Sequence, residues 1–361
     1  MTLESDLLPH PDPVQLIDPA GRAVTADGYA LPPVEALRDG YAALVRGRRI
    51  NEQCNALVRQ GRLAVYPSSH GQEACQVAAA LVLGESDWVF PTYRDSVTVI
   101  SRGVSPADAL VLLKGDWHSG YDPHENHVAP QATPLATQLL HAVGFAHAAK
   151  LRGEDTVVLA MCGDGATSEG DFHEAMNFAA VFGLAVIFFV QNNEFAISVP
   201  LSRQTAAPSL AHKAIGYGMP GRRVDGNDLA AVLAVLGEAV ERARAGGGPS
   251  LVEAHTYRMQ AHTNADDDTR YRERDEVQAW VARDPLTRMR DYLAGVGALD
   301  SETEEAFAAD AEEVASALRA AMNTDATPDP RDLFAHVYSE PTSQLVRQRD
   351  LVLSEIAREE A

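Results

Sequence analysis

The chain has 361 residues, with 30 Lys plus Arg against 51 Asp plus Glu and a formal net charge of −21. A surface that acidic repels phosphate backbones and anionic lipid, which excludes nucleic acid and membrane surfaces as main partners; any anionic ligand needs a local basic cluster or a bound cation. Hydrophobic residues at 46% and charged residues at 22% fit a globular protein, and the longest apolar runs, such as 184–190, are too short to span a bilayer. The first residues, MTLESDLLPH, lack a basic segment followed by an apolar one, and the three cysteines (Cys54, Cys75, Cys162) are widely spaced. Both features lead us to expect a reducing, cytoplasmic setting.

Residues 1–33 are rich in Pro and Asp with little apolar period. They read as an extended arm, of the kind that packs across a partner subunit or frays. From 33 to 62 the apolar spacing is helical (Leu37, Tyr41, Leu44, Val45), and 74–83 is a second helix-like run. Residues 156–162 (TVVLAMC) have the composition of a buried parallel strand and stop at the turn Gly163-Asp164-Gly165. A helix is expected over 168–182, with Phe172, Met176, Ala179 and Phe182 on one face. A second buried strand over 184–190 ends at Gln191-Asn192-Asn193. Strand, helix and strand in that order make a βαβ unit with a right-handed crossover. A helix over 229–245 and a third strand over 250–257 continue the alternation. After residue 275 the pattern turns helical, around 276–295, 301–323 and 341–358. The fold class is therefore α/β, a mostly parallel sheet with helices on both faces and a helical C-terminal extension. The expected organisation is an arm over 1–33, an α/β domain over 34–275 and an extension over 276–361 packed on the same domain.

Asp164 and Asn193 each fall just past the C-terminal end of a predicted strand, where open α/β sheets place their ligand crevice. An Asp carboxylate and an Asn amide oxygen are hard donors suited to Mg²⁺, which draws its other oxygens from phosphates and water. The carbonyl of Phe195, where the chain turns, is a natural third ligand. The glycines fit neither common phosphate loop: a dinucleotide fingerprint needs glycine where Ser168 stands, and a P-loop needs Lys where Asp171 follows Gly170. Asp164, Glu169 and Asp171 put negative charge where a phosphate would lie, so only a divalent cation makes the site attractive to a diphosphate.

The stretch GDGATSEGDFHEAMNFAAVFGLAVIFFVQNNEFAIS (163–198) resembles the thiamine-diphosphate motif, which opens on Gly-Asp-Gly and closes on Asn-Asn. With HGQEA (70–74), PTYRD (91–95), TPLATQ (133–138), RVDGND (223–228) and YRMQAHTNADDDTRYR (257–272), the chain is similar to the alpha subunit of the decarboxylating first component of 2-oxoacid dehydrogenase complexes. The last segment looks most like the branched-chain 2-oxoacid type or its bacterial pyruvate-type relatives.

That resemblance implies a thiamine-diphosphate-binding fold and a set of roles. Asp164, Asn193 and the Phe195 carbonyl would hold Mg²⁺ on the cofactor diphosphate. Tyr93 and Arg94 would contact the diphosphate, and Gly163, Gly165 and Ala166 would let the backbone approach it. Thr133 and Leu135 fall where the family meets the aminopyrimidine, and 132–138, with Thr137 and Gln138, match a potassium loop. His262 matches a catalytic histidine near the diphosphate and the reacting carbon, with Arg258 and Arg270 close in sequence. Thr263 stands where mitochondrial relatives carry a regulatory phosphoserine, and 264–274 would be a mobile loop that orders on cofactor binding. The implied reaction is oxidative decarboxylation of a small 2-oxoacid with reductive acyl transfer to a lipoyl-bearing acyltransferase. A beta subunit would supply the activating glutamate in an α₂β₂ heterotetramer. Pyruvate and acetoin dehydrogenase alpha subunits, and a catalytically silent assembly subunit, are the alternatives.

Three departures bear on this. Gln191 stands where branched-chain relatives carry an arginine near the diphosphate, and Thr92 where some carry Gln beside the substrate, which leaves acyl-chain preference open. Phe195 replaces a common Tyr, harmless if only its carbonyl binds metal. His118, Asp122, His124 and His127 lack cysteines and a helical H-x-x-x-H, so they read as a polar loop and not a zinc site.

Overall fold

A computed structural model describes residues 7–115, 119–324 and 329–359. Among the described residues there are seven strands: β1 (Trp88–Phe90), β2 (Val158–Gly163), β3 (Val186–Asn192), β4 (Phe195–Ala196), β5 (Val199–Pro200), β6 (Gly221–Asp225) and β7 (Ser250–His255). Five of them form one parallel sheet in the order β1-β2-β3-β7-β6, while β4 and β5 make a short antiparallel hairpin. Before β2 come helices α1 (Val34–Arg59), α2 (Glu73–Leu81), α3 (Ser96–Ser101), α4 (Pro106–Lys114), α5 (Pro123–Asn126) and α6 (Thr137–Arg152). Helix α7 (Gly170–Phe182) crosses from β2 to β3, and α8 (Leu229–Arg244) from β6 to β7. Helices α9 (Arg274–Val281), α10 (Pro285–Gly295), α11 (Ser301–Met322), α12 (Asp332–Ala335) and α13 (Ser343–Glu359) follow.

Covered on both faces, the central strands read as unbroken apolar runs and not as alternating ones. Leu159 and Met161 of β2 and Ile187 and Phe189 of β3 pack with α1, α2 and α8, including Leu37, Val77 and Val232. Ala160, Cys162, Phe188 and Val190 point the other way, onto Leu139 and Val143 of α6 and Phe172 and Met176 of α7. All three cysteines are buried and free.

The strands and helices expected around 156–162, 168–182, 184–190, 229–245 and 250–257 are all present, shifted by no more than a few residues. The turn expected at 163–165 opens instead into a short 3₁₀ helix over Asp164–Ser168. Strands β1 and β6 gave no sequence signal. The first is three residues long, and the second, GRRVD, is an edge strand whose two arginines are half-buried, so neither shows an apolar run.

Within the lead-in to α1, Val14 bridges Val224 in parallel and extends the β6 edge of this chain's own sheet. A buried polar clasp fixes it there. The Asp228 carboxylate accepts the backbone N–H of Leu16 and of Ile17, each at 2.7 Å. Arg288, fully buried on α10, donates to the Ile17 carbonyl at 2.8 Å and pairs with Asp225 at 2.9 Å. Burial pushes the Asp228 carboxyl up to about 6 even with Arg288 beside it. Helices α10 and α11 bury Leu293, Ala315 and Leu318, whereas α12 and α13 carry no buried residue.

Arg288→Ala leaves two acidic groups without their cation, a change expected to lower stability by about 3–5 kcal/mol in urea unfolding. An unchanged midpoint would show that the clasp contributes nothing to the sheet edge.

Candidate active site

In the parallel register of β2 and β3, Gly163 lies opposite Gln191. Asp164 and Asn193 therefore leave the sheet from neighbouring C-terminal ends, and both line one cavity of about 480 Å³. The same cavity is lined by Tyr93, Arg94, Thr133, Leu135, Gly163, Gly165, Ala166, Phe195 and His262, so the structure brings every candidate residue together. Gly165 is required by close approach: a Cβ there would lie 2.7 Å from that of Ala196 on the β4–β5 hairpin. Leu135 and Thr133 are exposed at the rim, while Arg94, Asp164 and Asn193 are buried.

Asp164, Arg94 and Arg258 at this cavity are held out of water without an ion-pair partner among the described residues. Asp164 is 1% exposed. It makes no ion pair among the described residues; its Oδ2 accepts a 2.6 Å hydrogen bond from the Gln204 amide. Burial pushes its carboxyl up to about 6. Arg94 is likewise buried and without a carboxylate among the described residues. Its Nη1 donates to the carbonyls of Ser68 (2.9 Å) and His262 (3.2 Å), both neutral. The adjacent Asp95 is not its partner, because Asp95 accepts the side-chain amide of Gln191 (2.7 Å) and the backbone N–H of Thr92 (2.7 Å). Arg258, 1% exposed, donates to the carbonyls of Phe195 (3.2 Å) and Ile197 (2.7 Å) and to the Tyr271 hydroxyl (2.9 Å). Burial and then Arg94 push its guanidinium down from the ordinary arginine value. The cavity thus offers the Asp164 carboxylate and two guanidiniums, none in an ion pair among the described residues. Leaving an ion buried and unpaired costs several kcal/mol. The arrangement suits a cation at the carboxylate and an anion at the guanidiniums.

His262 sits between the two arginines. Its Nδ1 lies 3.0 Å from Arg94 Nη2, and a guanidinium can only donate. The ring is therefore neutral, with its proton on Nε2. Burial first, then Arg94 and Arg258, push it down to about 4. Such a ring is a hydrogen-bond donor through Nε2 and not a cation. Tyr93 meets it edge-on at 6.2 Å. Its backbone N–H is held by Asp266 at 2.8 Å, and the Tyr271 hydroxyl closes on the same carboxylate.

Gln72 and Gln204 escaped sequence reasoning. Gln72 lines the cavity, accepts from the Asn193 amide at 3.3 Å, and has a buried Nε2 with no partner. Its place within HGQEA was the available signal. Gln204 follows the hairpin in a polar loop and carried none. Arg270, unlike Arg258, is exposed and does not line the cavity. Of the histidine-rich loop, His118 lies outside the described residues; Asp122 caps α5, and His124 and His127 pack on Trp88. No group of three or more His, Cys, Asp or Glu poised for a metal occurs among the described residues, as expected where Asn and a carbonyl supply donors.

The cleft lies at the C-terminal ends of a parallel sheet, where open α/β folds place their ligands. Residues 42–330 match the model of the dehydrogenase E1 component family, and the chain belongs to that family. It is 49% identical over 348 residues to the 3-methyl-2-oxobutanoate dehydrogenase subunit alpha of Mycobacterium tuberculosis, covering 96% of this chain and 95% of that protein. It is 39% identical over 315 residues to the pyruvate dehydrogenase E1 component subunit alpha of Staphylococcus aureus, covering 86% and 85%. The corresponding Staphylococcus epidermidis subunit is 38% identical over 341 residues, covering 94% and 92%. No helix among the described residues is long and apolar enough to cross a membrane.

By nitrogen NMR, the His262 ring is expected to stay the neutral Nε2–H tautomer to about pH 4, well below the ordinary 6.5. Because folding lowers this group's affinity for protons, its contribution to stability is present above 6.5 and lost as pH falls toward 4. A ring titrating at 6.5 or higher would contradict the assignment.

Proposed function

We propose that this chain is the alpha subunit of a thiamine-diphosphate-dependent 2-oxoacid dehydrogenase component acting on branched-chain substrates such as 3-methyl-2-oxobutanoate. The observation that carries the reading is the set of buried charges without ion-pair partners around one cavity, Asp164 with Arg94 and Arg258. The 49% identity across nearly the whole chain supports the branched-chain choice. An assembly-only subunit would have no reason to keep three desolvated charges without partners.

The residues present fit a magnesium diphosphate. Asp164, Asn193 and the Phe195 carbonyl would hold Mg²⁺; Arg258 occupies one lone pair of that carbonyl and leaves the other. Arg94, Tyr93 and the Nε2–H of His262 would face the diphosphate, and Gly163, Gly165 and Ala166 admit it close to the backbone. Arg suits this task because its planar fork makes paired bonds to phosphate oxygens. When bound, thiamine diphosphate supplies the electron sink that lets a 2-oxoacid lose carbon dioxide. His262 would donate a proton bond near the reacting carbon while staying uncharged itself. Thr133 and Leu135 would border the aminopyrimidine. Gln138 Oε1 is buried without a partner, which supports a potassium ion at Thr137 and Gln138. Val65, Leu113 and Ile197 make an apolar wall suited to a branched aliphatic chain. A beta subunit would complete the site in an α₂β₂ heterotetramer, and a lipoyl-bearing acyltransferase would accept the acyl group in the cytoplasm.

In the complex with its beta subunit, kcat/KM is expected to favour 3-methyl-2-oxobutanoate over pyruvate. A preference for pyruvate would move the chain to the other type. Asp164→Ala is expected to abolish magnesium-dependent retention of thiamine diphosphate, measured by equilibrium dialysis. Unchanged retention would contradict the metal assignment.

A further inference from the structure

Gln204 follows the turn 201–203, just beyond the β4–β5 hairpin. The hairpin is pressed onto the Asp164 turn at Gly165 and Ala196. It is closed behind by the Leu201 N–H, which donates to the Glu194 carbonyl at 2.9 Å. From this fixed base the Gln204 amide reaches back. Its Nε2 donates to Asp164 Oδ2 at 2.6 Å and to the Val199 carbonyl at 3.0 Å. Both amide hydrogens are therefore used, while Oε1 is buried with no partner. The reverse orientation would set the amide oxygen against the carboxylate. Gln204 forgoes an acceptor bond to keep its donors where they are, and a buried acceptor left without a donor is unfavourable.

We propose that Gln204 is a positioning residue that holds Asp164 by Oδ2 and so presents Oδ1 to the metal. A neutral donor is the chemistry this task needs. Lys or Arg in its place would neutralise Asp164 and remove the demand for a divalent cation; an apolar residue would leave the carboxylate free to rotate. The hairpin then acts as a clip, with Phe195 at one end offering its carbonyl and Gln204 at the other fixing the carboxylate. This inference rests on the metal reading above.

Calorimetric titration of the α₂β₂ complex, saturated with thiamine diphosphate, tests it with Mg²⁺ and separately with Ca²⁺. Magnesium demands near-ideal octahedral geometry and calcium does not. Gln204→Met is expected to raise the Mg²⁺ Kd roughly 10–100-fold, as loss of an orienting partner does in other metal sites. The Ca²⁺ Kd should change less, and the Tm of the cofactor-free complex should not change. Should Gln204→Met fail to fold, Gln204→Asn carries the same comparison, since its donor falls one methylene short. An unchanged Mg²⁺ Kd overturns the proposal. So does an equal loss for both ions with a lowered Tm, which would mark a purely structural role. Asp164→Ala in the same titration separates the two readings: if it loses Mg²⁺ while Gln204→Met does not, the metal assignment stands and the positioning role falls.

Discussion

Around a single cavity the Arg94 and Arg258 guanidiniums and the Asp164 carboxylate lie out of water, and none makes an ion pair among the described residues. Each such ion costs several kcal/mol to bury, against a total stability of about 5–15 kcal/mol for a typical domain. The fold carries that strain without letting these charges pair. Asp164 is held by a neutral amide, Arg94 by carbonyls, and Arg258 by the hairpin's own carbonyls and a hydroxyl. Had either arginine reached Asp164, the site would be satisfied and closed to a ligand.

The same lack of pairing resolves a tension in the composition. A chain with net charge −21 repels anions in bulk. The recognition of a diphosphate must then be local and desolvated, where the effective dielectric is low and a few fixed charges outweigh a distant acidic surface. Neutral His262 fits this economy. Burial first, and then the two adjacent arginines that already supply the positive charge, hold its ring below its usual protonation range.

How much of this was legible follows the range of the interactions. Asp164 and Asn193 could be placed because buried parallel strands are continuous apolar runs with abrupt polar ends, a local property of 156–164 and 184–193. Arg94 and His262 came from resemblance, since a lone arginine or histidine has no spacing that reveals its role. That Arg94 and Arg258 lack carboxylate partners among the described residues was invisible, because ion pairing is decided by tertiary neighbours; even the adjacent Asp95 turns to Gln191. Gln204 lies in a non-periodic polar stretch and matters only through a bond to a residue forty positions earlier. β6 was hidden by Arg222 and Arg223, and the clasp of Asp228 and Arg288 on the lead-in joins segments more than two hundred residues apart.

The stability and ligand affinity of Arg94→Met bear most directly on whether these charges are kept for a ligand. Methionine fills similar space without charge. If Arg94 is held unpaired for an absent anion, the cofactor-free complex should melt no lower than the wild type. Its affinity for thiamine diphosphate should fall by roughly two orders of magnitude, the worth of a desolvated charge contact. A complex that melts markedly lower yet binds the cofactor as before would show that Arg94 serves the fold and not the ligand.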